Sequence, residues 1–329
     1  MSTLTIGTFE LEHPIMNAAG PRCKTLEEIE ELARSPIAAI MVGSVTWEKR
    51  SGNSGQTYYS DGSMSLNSLG LPNGGWEYYQ KHLSEMIDVA HNAGKPLIMS
   101  AAGFSPQEYT HLVELGVSHG VDGVELNLGC PNVWTGGAQK RIMCFNPQDV
   151  GFILGLVRST LARMIVPRSF EVWIKLSPFS DPVALYEIVN VIRKEFTLFR
   201  NLDVQCGITV VNTFANAFLY DKNGYPAIQS PEVKQGLAGM SGAFMKGIGL
   251  GHVIQIRDIL GDDAERIKII GVGGVRRGTD VSDYERAGAS IVQVGTAHAD
   301  RGPRVFSDLL EEYVELSKGP QSAAKKEGV

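Results

Sequence analysis

One unit repeats along the hydrophobic pattern of the chain. Short apolar runs rich in Val, Ile and Leu alternate with longer stretches in which apolar residues recur every three or four positions. Eight runs stand out: Pro14–Gly20, Ala38–Thr46, Pro96–Gly103, Gly123–Pro131, Phe170–Pro178, Cys206–Thr213, Ile267–Gly274 and Ser290–Ala297. They are continuous rather than alternating, as strands buried on both faces of a parallel sheet should be. The stretches between them, among them residues 25–35, 77–94, 146–164, 181–196 and 303–319, carry helical spacing. Thr25, Ser105, Asn146 and Asp181 stand where N-caps belong. Eight strand–helix units predict an α/β fold, a (β/α)8 TIM barrel in a single domain of residues 1–317, with a polar tail at 318–329. A doubly wound sheet is the alternative, and loop placement favours the barrel. The long irregular stretches Trp47–Gly75, Asn132–Phe145 and Phe214–Gly242 each follow a strand. In a barrel all three emerge on the C-terminal face, where barrel active sites are built.

Composition narrows the function classes. With 43% hydrophobic and 20% charged residues, the 329-residue chain is globular rather than disordered. Its net charge of −6 argues against a nucleic-acid or anionic-membrane partner. No apolar run approaches the roughly 20 residues of a membrane span. The segment MSTLTIGTFELEH has neither the basic nor the apolar region of a signal peptide. Four scattered cysteines without a C-x-x-C pair read as reduced thiols, so the expected compartment is the cytoplasm. The 37 glycines exceed the average, and the excess falls just after the apolar runs.

Several familiar chemistries are missing. Gly271–Gly278 follows a strand but has Arg276 where G-x-G-x-x-G needs its third glycine. There is no Walker A sequence, no clustered metal-ligand set and no G-x-S-x-G elbow. What remains sits at strand ends. Gly273, Gly274, Gly295 and Thr296 end strands seven and eight, where bare backbone N–H groups hold phosphate in many barrels; tight turns are the plainer reading. Strand four ends in Asn127 and Cys130, followed by Asn132. That thiol is either a base or nucleophile, or a buried structural cysteine. Lys175 within an apolar strand faces a cofactor or anion, forms a Schiff base, or snorkels between helices. Asn212-Thr213 ends strand six, and Asn67-Ser68-Leu69-Gly70-Leu71-Pro72-Asn73 follows strand two. Four asparagines on one face suit a small planar polar ring. Hydride transfer to an organic cofactor asks for such positioning plus one base.

These residues carry a resemblance. N-L-x-C-P-N at Asn127–Asn132, N-S-x-G-L-P-N at Asn67–Asn73, the Lys175 strand, Asn212-Thr213, the glycines at Gly236–Gly242 and I-I-G-x-G-G at Ile269–Gly274 resemble the dihydroorotate dehydrogenases. The pattern is most similar to the class 1A enzymes and extends from Met16 to Pro303. The resemblance implies an FMN-dependent, homodimeric enzyme of pyrimidine biosynthesis. It would oxidise dihydroorotate to orotate, with a soluble acceptor such as fumarate. It implies Cys130 as the base. Asn67, Asn127, Asn132, Asn212 and Thr213 would hold the pyrimidine, helped by backbone at Gly70 and Leu71. Ala19, Gly20, Ser44, Asn127 and Lys175 would line the flavin, and Gly242, Gly273, Gly274, Gly295 and Thr296 would hold its phosphate end. Three positions depart from the family pattern. Gly43 replaces a lysine at the end of strand two, Gly129 replaces a serine, and Trp134–Arg141 replaces a shorter loop. The missing lysine keeps open an alternative substrate, another dihydropyrimidine or an activated alkene. A flavin-free Schiff-base aldolase on Lys175 is a further alternative. Lysine installed at position 43 is expected to tighten orotate binding if the pocket is otherwise intact; an unchanged titration would mean a rebuilt pocket.

Overall fold

The computed structural model describes residues 4–131, 134–135 and 138–318. All eight predicted runs form strands: β1 (Ile15–Asn17), β2 (Ile40–Val45), β3 (Leu97–Ala101), β4 (Gly123–Asn127), β5 (Phe170–Leu176), β6 (Val204–Val210), β7 (Ile267–Val272) and β8 (Ile291–Val294). They make one sheet in the order β1-β8-β7-β6-β5-β4-β3-β2, parallel throughout. A parallel bridge between Met16 and Ala39, with Ala38 N donating to Ile15 O at 2.9 Å, joins the two edges. The sheet is thereby a closed (β/α)8 barrel without free edges.

The predicted caps hold the helices. Thr25 forms a capping box with Glu28 at the start of α1 (Leu26–Arg34). Helix α2 (Gly75–Asn92) follows the long loop after β2. Ser105 accepts from Glu108 N ahead of α3 (Pro106–His119), Asn146 from Gln148 N ahead of α4 (Pro147–Leu161), and Asp181 from Val183 N ahead of α5 (Pro182–Leu198). Helices α6 (Met245–Leu260), α7 (Gly278–Ala287), α8 (Thr296–Arg301) and α9 (Arg304–Ser317) complete the ring. Met16, Ala39, Met41, Ile98, Trp173, Ile270 and Ile291 form one buried cluster together with Ile6. Ile6 belongs to an N-terminal hairpin, Thr5–Ile6 with Phe9–Glu10, that the sequence pattern does not announce. Among the described residues no helix is long and apolar enough to cross a membrane.

The long loops are less irregular than expected. Phe214–Ala217, Ala238–Gly242, Met64–Asn67 and Tyr58–Ser60 pair in that order as a four-stranded antiparallel sheet. This cap sheet joins the loops after β2 and β6, and its register sets Asn67 opposite Gly239 and Met64 opposite Gly242. The loop after β4 holds a short hairpin, Trp134–Thr135 with Ala138–Gln139. The apolar runs also overshoot their strands. β4 ends at Asn127, and Cys130, beyond the end of the strand, lines a cavity.

Candidate active site

A cavity of about 590 Å³ opens between the C-terminal ends of the barrel strands and the cap sheet. That size suits a cofactor-scale ligand. Every sequence-predicted site residue within the described chain lines it: Cys130, Asn67, Gly70, Leu71, Asn127, Asn212, Thr213, Ala19, Gly20, Ser44, Lys175, Gly242, Gly273, Gly274, Gly295 and Thr296. Asn132 lies outside the described residues.

At one end the carboxamides orient one another. Asn212 Nδ2 donates to Asn127 Oδ1 at 3.0 Å, Asn127 Nδ2 donates to Ser44 Oγ at 3.0 Å, and Ser44 Oγ meets Ser100 Oγ at 2.8 Å. Tyr109 OH donates to Asn127 O at 3.0 Å, and Thr213 N donates to Asn212 Oδ1 at 2.8 Å. Each side chain is locked by its neighbour, and unused donor and acceptor capacity is left facing the cavity. The loop after β2 is fastened from below. Asn73 Oδ1 accepts from Thr46 N and Gly75 N, while its Nδ2 donates to Thr46 Oγ1 and Leu71 O. Arg50 Nε donates to Gly70 O at 2.9 Å. Asn73 of the N-S-x-G-L-P-N motif therefore shapes the loop that presents Gly70 and Leu71.

The four thiols separate by environment. Burial pushes Cys23 up to about 11, and Cys144 and Cys206 up to about 12. Cys23 is spent on Gly43 O and Gly20 O, and Cys144 accepts from Ser177 N. Cys130 is half-buried and lines the cavity. It alone is placed to meet a ligand.

Beneath the cavity, Lys175 Nζ donates to Gln293 Oε1 at 2.9 Å and to Glu125 Oε1 at 3.4 Å. Gln293 Nε2 closes the triangle on Glu125 Oε2 at 2.9 Å. All three are buried, and Lys175 reaches the cavity wall. Paired with a carboxylate and an amide, this Nζ is poorly suited to nucleophilic Schiff-base chemistry, which needs a free amine. The sequence reading missed Glu125 and Gln293. Both are polar residues inside buried strands, and that is the signal that could have found them.

At the other end the turn after β7 is built for backbone approach. Gly274 sits at φ +69°, and a Cβ there would come within 2.5 Å of Lys246 N and 2.7 Å of Ala243 O. Asp280 Oδ2 accepts from both Arg276 N and Arg277 N, at 2.8 and 2.9 Å, and fixes the turn. Arg276 and Arg277 are among the residues lining this end, and the sequence reading did not assign them. The structure accounts for one family departure. Gly43 has φ +117°, and a Cβ would meet Ser100 O at 2.7 Å and Val45 N at 2.8 Å.

Fold and cavity together define a (β/α)8-barrel protein with its ligand site on the C-terminal face of the strands. The family model for dihydroorotate dehydrogenase matches residues 1–316, and the chain belongs to the dihydroorotate dehydrogenase family, oxidoreductases acting on a CH–CH bond. It is 31% identical to dihydroorotate dehydrogenase A (fumarate) of Lactococcus lactis subsp. lactis over 332 residues, covering 100% of this chain and 98% of that one. It is 31% identical to dihydroorotate dehydrogenase (fumarate) of Saccharomyces mikatae over 93% of this chain and 90% of the relative. Among solved structures, a dihydroorotate dehydrogenase of Eimeria tenella in complex with ferulenol superposes with a TM-score of 0.74. It shares 18% identity and covers 96% of this chain and 85% of that one, a likeness of fold.

Proposed function

We propose that this protein is an FMN-dependent dihydroorotate dehydrogenase of pyrimidine biosynthesis with Cys130 as its base. The observation that carries the reading is that the half-buried thiol of Cys130, the linked carboxamides and the Lys175 triangle share a single cavity with a glycine-built end that Arg276 and Arg277 border. The residues present suit FMN. The Gly273-Gly274 turn, with Gly242, Gly295 and Thr296, would cradle the phosphate through backbone N–H groups, and a Cβ at position 274 would displace that turn by striking Lys246 N and Ala243 O. Thr213 Oγ1 is buried with no protein partner among the described residues, so it is available to a ligand. Ala19, Gly20, Ser44, Asn127 and Lys175 would line the ring system.

Bound FMN would supply the hydride acceptor. Asn67, Asn127, Asn132 and Asn212 would orient the pyrimidine, with Thr213 and the backbone of Gly70 and Leu71. Cys130, as thiolate, would remove a proton from the ring methylene while hydride leaves the neighbouring carbon, which forms the carbon–carbon double bond of orotate. Lys175 would offset negative charge that develops above it. Fumarate is the proposed acceptor and the cytoplasm the proposed setting. A homodimer is supported by Phe214, Tyr220 and Tyr225, apolar side chains 44%, 67% and 63% exposed on and beside the cap sheet.

Purified protein is expected to carry a flavin spectrum that dihydroorotate bleaches. Cys130→Ala should keep the flavin and lose roughly 10²- to 10⁴-fold in the rate of that bleaching. Full activity in the variant would remove Cys130 from the mechanism.

A further inference from the structure

A ring carboxylate needs a cation in its site; Lys24 lines the cavity, but it follows the Ala18–Pro21 stretch assigned to the flavin, away from the strand-four end. Position 43, where the family pattern has lysine, cannot carry a side chain without moving the backbone of Ser100 or Val45. Lys175 is committed to Glu125 and Gln293. Two other cations stand near the Cys130 end. The Arg50 guanidinium lies 4.5 Å and the Lys140 ammonium 4.3 Å from the centre of the Phe104 ring. A shared aromatic platform gathers the two charges that water would otherwise keep apart. Arg50 is tied to the substrate loop twice, by the Asn73–Arg50 backbone bridge and by Nε on Gly70 O. Gln139, next to Lys140, donates Nε2 to Pro131 O at 2.7 Å, which holds this segment beside Cys130. Glu108 shares the cluster, and its Oε2 is held by Phe104 N at 2.7 Å. Two cations against one carboxylate leave a net positive charge. Lys49, next to Arg50 in sequence, is exposed.

We propose that Arg50 and Lys140, gathered on Phe104 beside Cys130, recognise the carboxylate of the substrate in place of a cation on β2. The inference rests on the dihydroorotate reading and deepens it. The acidic group of the substrate then points toward the cavity mouth. Partial burial holds both cations below their ordinary pKa values, and an arriving carboxylate would offset that desolvation. Lys140 lies in the segment that departs from the family pattern, so the same chain that lacks the interior lysine supplies a cation from a different loop.

The test is a flavin-absorbance titration of the holoprotein with orotate and with orotamide, its neutral isostere. Arg50→Gln and Lys140→Gln should each weaken orotate roughly 10- to 100-fold and leave orotamide unchanged, as expected for loss of a charge-assisted contact. Equal weakening of both ligands would mean that Arg50 only braces Gly70, and would overturn the proposal. So would unchanged orotate binding in both variants. Lys140→Gln is the cleaner arm, because Arg50 also braces Gly70 O. Holoprotein that binds orotate normally while the variants fail to discriminate sinks this inference alone. Flavin-loaded wild type that binds no orotate sinks the dihydroorotate reading and this inference with it.

Discussion

At the scale of single residues, backbone geometry decides what chemistry position 43 can hold. The atoms a Cβ would strike there, Ser100 O and Val45 N, both belong to the barrel backbone and cannot swing aside. The backbone at φ +117° is also a conformation that side-chain-bearing residues resist. The expectation that lysine at this position would tighten orotate binding therefore gives way to its opposite. Gly43→Lys should cost about 2 kcal/mol or more in stability and should not improve orotate affinity. Urea midpoints and the flavin titration read the two effects separately. A variant as stable as wild type that also binds orotate more tightly would mean that the strand end re-forms around the new side chain. The sequence shows which residue stands at 43 but not its φ, and the missing room for a side chain is legible only in three dimensions. The thiols extend the lesson: the flanking asparagines single out Cys130 in the sequence, and burial then separates it from Cys23, Cys144 and Cys206.

At the scale of elements, legibility followed locality. Each barrel strand is a contiguous apolar run and each N-cap is one residue before its helix, so both could be read from short windows. The cap sheet could not. Asn67 meets Gly239 across 172 positions, and its strands are three to five residues long with little alternation. Yet this sheet roofs the cavity, and a few side chains fasten it. Tyr58 OH donates to Asp300 Oδ1 at 2.5 Å and Ser60 Oγ donates to Asp300 Oδ2 at 2.9 Å, which ties the edge strand of the sheet to α8. Asp300 itself lines the cavity at the glycine-built end. Asp300→Ala removes both acceptors and should let the roof open more often. FMN dissociation, followed by the rise in free-flavin fluorescence on dilution, is expected to quicken roughly tenfold, the effect of about 1.4 kcal/mol. The dihydroorotate half-reaction of flavin-saturated protein should change little. An unaltered release rate would show that the sheet is held by its own pairing alone.

For the molecule as a whole, the folded state excludes protons from three histidines in separate places. His13 Nδ1 accepts from Ile15 N ahead of β1, and His252 Nε2 accepts from Phe179 N between α6 and the end of β5. A protonated ring could accept neither bond. His298 on α8 is buried against Phe306, its Nε2 has no partner among the described residues, and burial with Arg22 nearby depresses it to about 4. Burial is also the largest influence lowering His13 and His252. Groups depressed in this way bind protons in the unfolded chain first. Their stabilisation is complete above the ordinary histidine value near 6.5 and is lost as pH falls toward 4. For His298 alone the span corresponds to roughly 3 kcal/mol. Glu171 and Glu285, raised by burial, act in the opposite sense just above 4.5, so the histidine contribution is cleanest at the upper part of the window. Urea midpoints of the holoprotein should therefore fall steadily from pH 7 to pH 5.5. His298→Leu, which keeps the apolar contact with Phe306 but has no proton to exclude, should flatten that slope measurably. A slope identical in the variant would assign the acid sensitivity to His13 and His252, and stability that rises on acidification would contradict the burial of all three.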